Sequence, residues 1–206
     1  MNTSLGLMSM KPSNKQVSLD RVHLAYHKRY AVTYPDFDLG FFNGNSILFV
    51  SDAPLKQSVT RIVSVPNEDT LKAADIDSST RVLNSSVGHV IKGVAPGQWD
   101  TISCTSVHKT QGHEDRPALN SERGEEFEIL LNQIKYLQPN LIILLGEITG
   151  LRFHVEEYYE LRLYDGKSIV MMIPDDLESE KSILRAKLAV MDASEYYALS
   201  GLNKIV

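Results

Sequence analysis

The sequence predicts an α/β fold: a three-layer α/β/α sandwich with a short, mainly parallel central sheet. Three observations carry that reading. Short apolar runs alternate along the chain with longer segments of helical periodicity. One run, Leu141-Ile-Ile-Leu-Leu145, is apolar on both faces, as a central parallel strand covered from two sides must be. The runs also close on turn-forming residues, as at Ser51-Asp-Ala-Pro54.

In chain order, residues 1–16 are polar and read as a flexible arm, with a single domain over 17–206. A weak helical pattern runs from Leu19 to Tyr30, and Tyr34-Pro-Asp36 is a turn. Gly40-Phe-Phe-Asn-Gly-Asn45 reads as a glycine-flanked loop before the first strand, Ile47 to Val50. Thr60 to Val65 is a candidate strand, with Pro66-Asn-Glu-Asp69 as a turn after it. Ser79 to Val94 places Val82, Leu83, Val87, Val90 and Ile91 near one helical face, and Ala95-Pro-Gly97 ends it. Asp100 to Val107 has β-branched alternation, and His108 to Pro117 is a polar loop. Asn120 caps a helix to about Leu137 whose stripe is Phe127, Leu130, Leu131, Ile134 and Leu137. Pro139 and Asn140 precede the strand Leu141 to Leu145. Ser168 to Ile173 is a further strand, and Ser179 to about Ala193 a last helix.

The chain has 206 residues, 43% of them hydrophobic, enough for one domain with a substantial core. Its net charge of −5 is uneven: residues 1–103 carry 10 basic and 9 acidic groups, residues 104–206 carry 11 and 17. That balance argues against a strongly basic nucleic-acid binder. Cys104 is the sole cysteine, which leaves no disulfide framework and no cysteine-based zinc or iron–sulfur site. The first residues lack a signal-peptide pattern, and the longest apolar run is too short to span a bilayer. An intracellular protein, cytoplasmic or nucleoid-associated, is expected, without a metal, a cofactor or a membrane partner.

Ligands of parallel α/β sheets collect at the C-terminal strand ends, here Asp52, Ser106, Gly146 and Ile173. The residues there resemble the motifs of the uracil-DNA glycosylase superfamily, most closely its thermostable iron–sulfur branches. Ser51-Asp-Ala-Pro-Leu55 is similar to the family's Gly-Glu-Ala-Pro-Gly, and Thr105-Ser-Val-His-Lys109 falls on its Thr-Asn-Val-Val-Lys. Asp115-Arg-Pro117, Glu122, Pro139 and Leu145-Gly146 follow the family's loop, helix and strand block without a gap from Glu122 to Gly146. Ile173-Pro-Asp175 then stands where the family has His-Pro-Ser, with Lys181 and Asp192 in the following helix. The resemblance covers about residues 44 to 193, and 100 to 146 most fully.

The resemblance implies an enzyme that flips a base out of the stack and cleaves its N-glycosidic bond through an oxocarbenium-like state. It implies Asp52 as the catalytic carboxylate, although Asp52 also reads as an ordinary turn aspartate closing its strand. Ser51, Pro54, Thr105, Ser106, Lys109, Ile173 and Pro174 become base-pocket candidates, and His108, His113 and Arg116 loop candidates. Several departures weaken the chemistry. Ser106 cannot offer the two-sided pattern of an amide, and Ile173 cannot donate to a developing anionic base. Asp175-Asp-Leu-Glu-Ser-Glu180 repels phosphate where the family's loop approaches it, though carboxylates also suit a helix N-terminus. Glu126 stands where a cluster cysteine would be, so no cluster is expected. Lys56, Arg61, Lys109 and Arg116 are too scattered to form a patch, and Trp99, Tyr158, Tyr159, Tyr196 and Tyr197 read as core or rim aromatics.

The expected function is a divergent superfamily protein of DNA replication or repair, with uracil hydrolysis weakened or lost. Binding to DNA, single-stranded or uracil-containing forms among them, or to a replication or repair partner is retained. The alternative is an active glycosylase using Asp52. A Rossmann-like nucleotide enzyme ranks third, for want of a Gly-x-Gly-x-x-Gly or phosphate-loop motif.

Overall fold

The computed structural model describes residues 14–30, 37–42, 44–54, 88–90, 93, 102–109, 120–175, 177 and 179–200. They form a mixed α/β domain on one six-stranded sheet. Its strands are β1 (Phe41–Phe42), β2 (Ile47–Ser51), β3 (Ile102–Ser106), β4 (Leu141–Leu145), β5 (Leu161–Tyr164) and β6 (Ser168–Ile173). The helices are α1 (Asn14–Tyr30), α2 (Asn120–Leu137), α3 (Glu147–Arg152) and α4 (Glu180–Leu199). In space the strand order is β1-β3-β2-β4-β6-β5. The inner four strands are parallel, and β1 and β5 pair antiparallel at the two edges.

The alternation of side chains along the parallel strands sorts the core into two sets. Ile47, Phe49, Ile102, Cys104, Leu141, Ile143, Ile169 and Met171 cluster with Ala186, Val190, Ala193 and Tyr197 of α4 and with the helical residue Val90. Leu48, Val50, Ile142, Leu144, Val170 and Met172 cluster with Leu19 of α1 and with Leu130, Ile134 and Leu137 of α2. All five residues of β4 are buried, which agrees with its unbroken apolar run.

Several elements depart from the sequence expectation. Phe41 and Phe42, expected in a loop, pair with Cys104 and Ser103. Helix α1 begins at Asn14, inside the stretch read as an arm, and α4 continues past Ala193 to Leu199. Of the helix expected over 79–94, residues 88–90 and 93 are described and helical. The candidate strand at 60–65 and the turns at 34–36 and 66–69 lie outside the described residues. Strand β5 and helix α3 were not expected. Leu131, assigned to the apolar stripe of α2, is 37% exposed, and Glu126 and Gln133 take buried places on that helix.

Gly40 fixes the approach of the 37–40 segment to β3. Its φ is +84°, and a Cβ built there would lie 2.1 Å from the Cys104 carbonyl oxygen and 2.8 Å from Thr105 Cα, both main-chain atoms. Gly40→Ala is therefore expected to destabilise the fold by about 2 to 5 kcal/mol, combining a left-handed backbone with an overpacked contact. A denaturant midpoint equal to that of the parent chain would refute this.

Candidate functional site

Strand β2 lies between β3 and β4, so the chain leaves β2 toward one side and later crosses to the other. This reversal makes the carboxyl ends of β2 and β4 the switch point where a doubly wound sheet opens a crevice. Asp52 follows β2 directly at that point. The parallel ladder continues past the last strand residues: the Val107 N–H donates to the Ser51 carbonyl at 2.8 Å, and the His108 N–H donates to the Asp52 carbonyl at 2.8 Å. Asp52 and His108 are thereby held side by side.

Their side chains form the first two members of a charged row. Asp52 Oδ1 lies 3.8 Å from His108 Nε2, is buried, and has no hydrogen-bond partner among the described residues. The Asp52 side chain as a whole is 38% exposed, so one oxygen faces inward while the carboxylate remains open to solvent. His108 Nδ1 lies 3.0 Å from Glu126 Oε2, and the Lys109 N–H donates to Glu126 Oε1 at 3.0 Å. Glu126, projecting from α2, thus clamps two consecutive residues of the β3 loop. With Nδ1–H assigned toward Glu126, Nε2 is the imidazole atom that faces Asp52. A carboxylate that orients water and an imidazole that moves a proton are the parts of a hydrolytic site.

Beneath this row lies a buried polar network. Lys109 is fully enclosed, and its Nζ donates to Thr105 Oγ1 at 2.7 Å, to Gln133 Oε1 at 2.8 Å and to the Ser106 carbonyl. Burial lowers its pKa to about 7, with the carboxylates of Asp38 and Glu126 acting in the opposite direction. Gln133 Nε2 donates to the Leu39 carbonyl at 2.9 Å and lies 3.1 Å from His23 Nε2. The Thr105 hydroxyl lies 3.0 Å from that same carbonyl and 2.9 Å from Gln133 Oε1. The network ties α1, the 37–40 segment, β3 and α2 together under the site.

The remaining candidates occupy distinct places. The Ser106 hydroxyl donates to the His108 carbonyl and closes the turn that carries the imidazole. Ser51 Oγ donates to the Ala53 carbonyl at 2.8 Å, and Pro54 is buried. Ile173 has no exposed surface and belongs to the core, while Pro174 is half-buried. Asp175 lies against Gly146 at the end of β4, where a Cβ would meet its Oδ2 at 2.8 Å. Tyr158 has its hydroxyl pKa raised by partial burial and by the nearby carboxylates of Glu147 and Asp175, so the β4–β6 side of the strand ends is acidic. His113 and Arg116 lie outside the described residues.

Glu126 and Gln133 were missed as site residues. Their signal is spacing: seven residues apart on α2, they fall on its buried face, where polar side chains require partners. Among the described residues, no group of three side chains suited to a metal ion occurs, and no helix is long and apolar enough to cross a membrane. No family model matches the chain, and no curated protein matches it in sequence.

Proposed function

We propose that the chain is a divergent protein of the uracil-DNA glycosylase superfamily, built as a three-layer α/β/α sandwich. It acts in DNA replication or repair by binding DNA or a partner protein, with uracil hydrolysis weakened or lost. The observation that carries the proposal is Asp52, a carboxylate at the switch point whose buried Oδ1 makes no hydrogen bond among the described residues and faces an imidazole 3.8 Å away. A carboxylate in that position orients water or stabilises positive charge on the sugar as a glycosidic bond breaks.

The weakening follows from the groups around it. Ile173 is core, the Ser106 hydroxyl is engaged by a carbonyl, and the Lys109 amine is enclosed, so none of the three offers a donor to a flipped base. Loss of one preorganised donor costs on the order of 3 kcal/mol, about a hundredfold in rate. The acidic side formed by Glu147 and Asp175 also opposes close approach of phosphate.

A second reading, active excision of a flipped base, is favoured by His108. Its Nε2 reaches Asp52 from the loop after β3, replacing the donor that β6 does not supply. In that scheme the doubly protonated imidazole of His108, its Nδ1–H held by Glu126, donates from Nε2 to the carbonyl oxygen of the departing base while Asp52 orients water. Alkaline strand cleavage of single-stranded and duplex uracil DNA, with binding measured in parallel, separates the two. Binding with little cleavage supports the first reading. Cleavage by the native chain that is lost in both Asp52→Asn and His108→Ala supports the second. Retention of free nucleotides without affinity for DNA oligomers refutes both.

A further inference from the structure

Helix α4 is apolar on two faces. Ala186, Val190, Ala193 and Tyr197 bury one against the sheet, as a surface helix requires. Leu184, Leu188, Met191 and Leu199, spaced along another side, are 48% to 79% exposed. Four large apolar side chains in a row on one exposed helix form a patch of the kind that marks an interaction surface.

The charges beside the row indicate what covers it. Lys181, Arg185 and Lys187 are the charged residues from 181 to 188, and Asp192 and Glu195 are those from 189 to 199; Glu180, the first helical residue, is the exception to this division. Lys181, Arg185, Asp192 and Glu195 are exposed, Arg185 also standing over the Tyr159 ring at 4.4 Å. Lys187 is half-buried beside Gly93. A parallel copy of this helix would set basic half on basic half. An antiparallel copy sets basic half on acidic half twice, as a twofold axis requires of a self-complementary surface.

We propose that the chain forms a twofold dimer through α4, with the two helices antiparallel and crossing midway between Leu188 and Met191. With Leu188 opposite the second copy's Met191, Leu184 meets Glu195 through its aliphatic stem. Lys181 then falls within a turn of Glu195, so the apolar row is closed at each end by opposite charges.

Sedimentation velocity of the full chain, from about 1 to 100 µM, tests this and spans the affinities ordinary for such contacts. The dimer mass is expected at the upper end. Leu188→Glu is expected to weaken association about tenfold or more without altering the far-ultraviolet circular dichroism, since the side chain it replaces is exposed. Lys181→Glu and Glu195→Lys are each expected to weaken the dimer, and the double variant to restore it. A monomer at every concentration overturns the proposal, as does a dimer indifferent to Leu188→Glu. Failure of the double variant to restore association overturns the antiparallel arrangement.

Discussion

On the proposed reading of the site, Asp52→Asn is expected to reduce base excision by about a hundredfold or more, and to leave the fold as stable as the parent or more so. The two effects come from the same atom. Among the described residues, Oδ1 of Asp52 is buried without a hydrogen-bond partner, and an imidazole nitrogen stands 3.8 Å away. A desolvated, unsatisfied carboxylate oxygen costs about 1 to 3 kcal/mol, and a neutral amide relieves much of that. On the proposed reading, such a cost is retained at a strand end for a ligand or a reaction rather than for folding. An ordinary turn aspartate behaves oppositely, because its replacement loses a satisfied hydrogen bond. Glu126→Gln supplies the contrast, since Glu126 accepts from both His108 Nδ1 and the Lys109 N–H and its loss should destabilise. Single-turnover excision and urea midpoints, measured on the same samples, check both halves. An Asp52→Asn protein that unfolds earlier than the parent, or that excises as well, would sink this account.

The coarse α/β class was legible because apolar runs and helical stripes report burial directly. The strand ends could be found because turn chemistry follows each run, as at Ser51-Asp-Ala-Pro54. The edges were harder to read. Strand β5 carries Arg162 and an exposed Leu163, so it lacks the apolar run that marked the inner strands. Its signal is instead Asp165-Gly166, with φ of 51° and 66°, the left-handed pair of the turn to β6, which the Lys167 N–H closes by donating to the Tyr164 carbonyl. Phe41 and Phe42 were hidden by flanking glycines, because Gly40 serves close backbone approach rather than a loop. At the site, residues near in sequence to the strand ends were accessible to reasoning, and Asp52 and His108 were both among them. Glu126 was only half accessible, because its spacing from Gln133 marks a buried polar position on α2 but not which partners in the β3 loop it meets. Ile173 illustrates the converse: its position at a strand end was read correctly, but its side chain points into the core.

The stability of the folded chain is expected to rise between pH 7 and about 9, and Lys109 is the reason. Its pKa in the fold is about 7, lowered by burial from an ordinary value of 10.5. Between those two values the unfolded chain holds a proton that the folded chain has released, so stability increases with pH. Below about 7 both states are protonated, and the fold bears the full cost of an enclosed ammonium. The slope is at most about 1.4 kcal/mol per pH unit, which makes the gain from pH 7 to 9 on the order of 2 kcal/mol. The rise must then turn over. Burial raises the Cys104 thiol well above its ordinary 9.0, and Tyr30 is pushed up to about 12 by burial and by its hydrogen bond to Glu125. In alkali the unfolded chain ionises both groups first, and stability falls. Lys109→Met keeps the length of the side chain but removes the titrating amine, so the increase from pH 7 to 9 should flatten while the alkaline fall remains. Some stability is also lost at every pH, because Thr105 Oγ1, Gln133 Oε1 and the Ser106 carbonyl each lose a donor. Urea midpoints at pH 7, 8 and 9 for the two chains decide the matter. A parent that does not gain stability over that range, or a Met variant that gains as much, would assign the buried amine no part in it. The network that encloses Lys109 also carries the turn bearing His108, so the same titration should reach the site as altered mobility of the 106–109 turn.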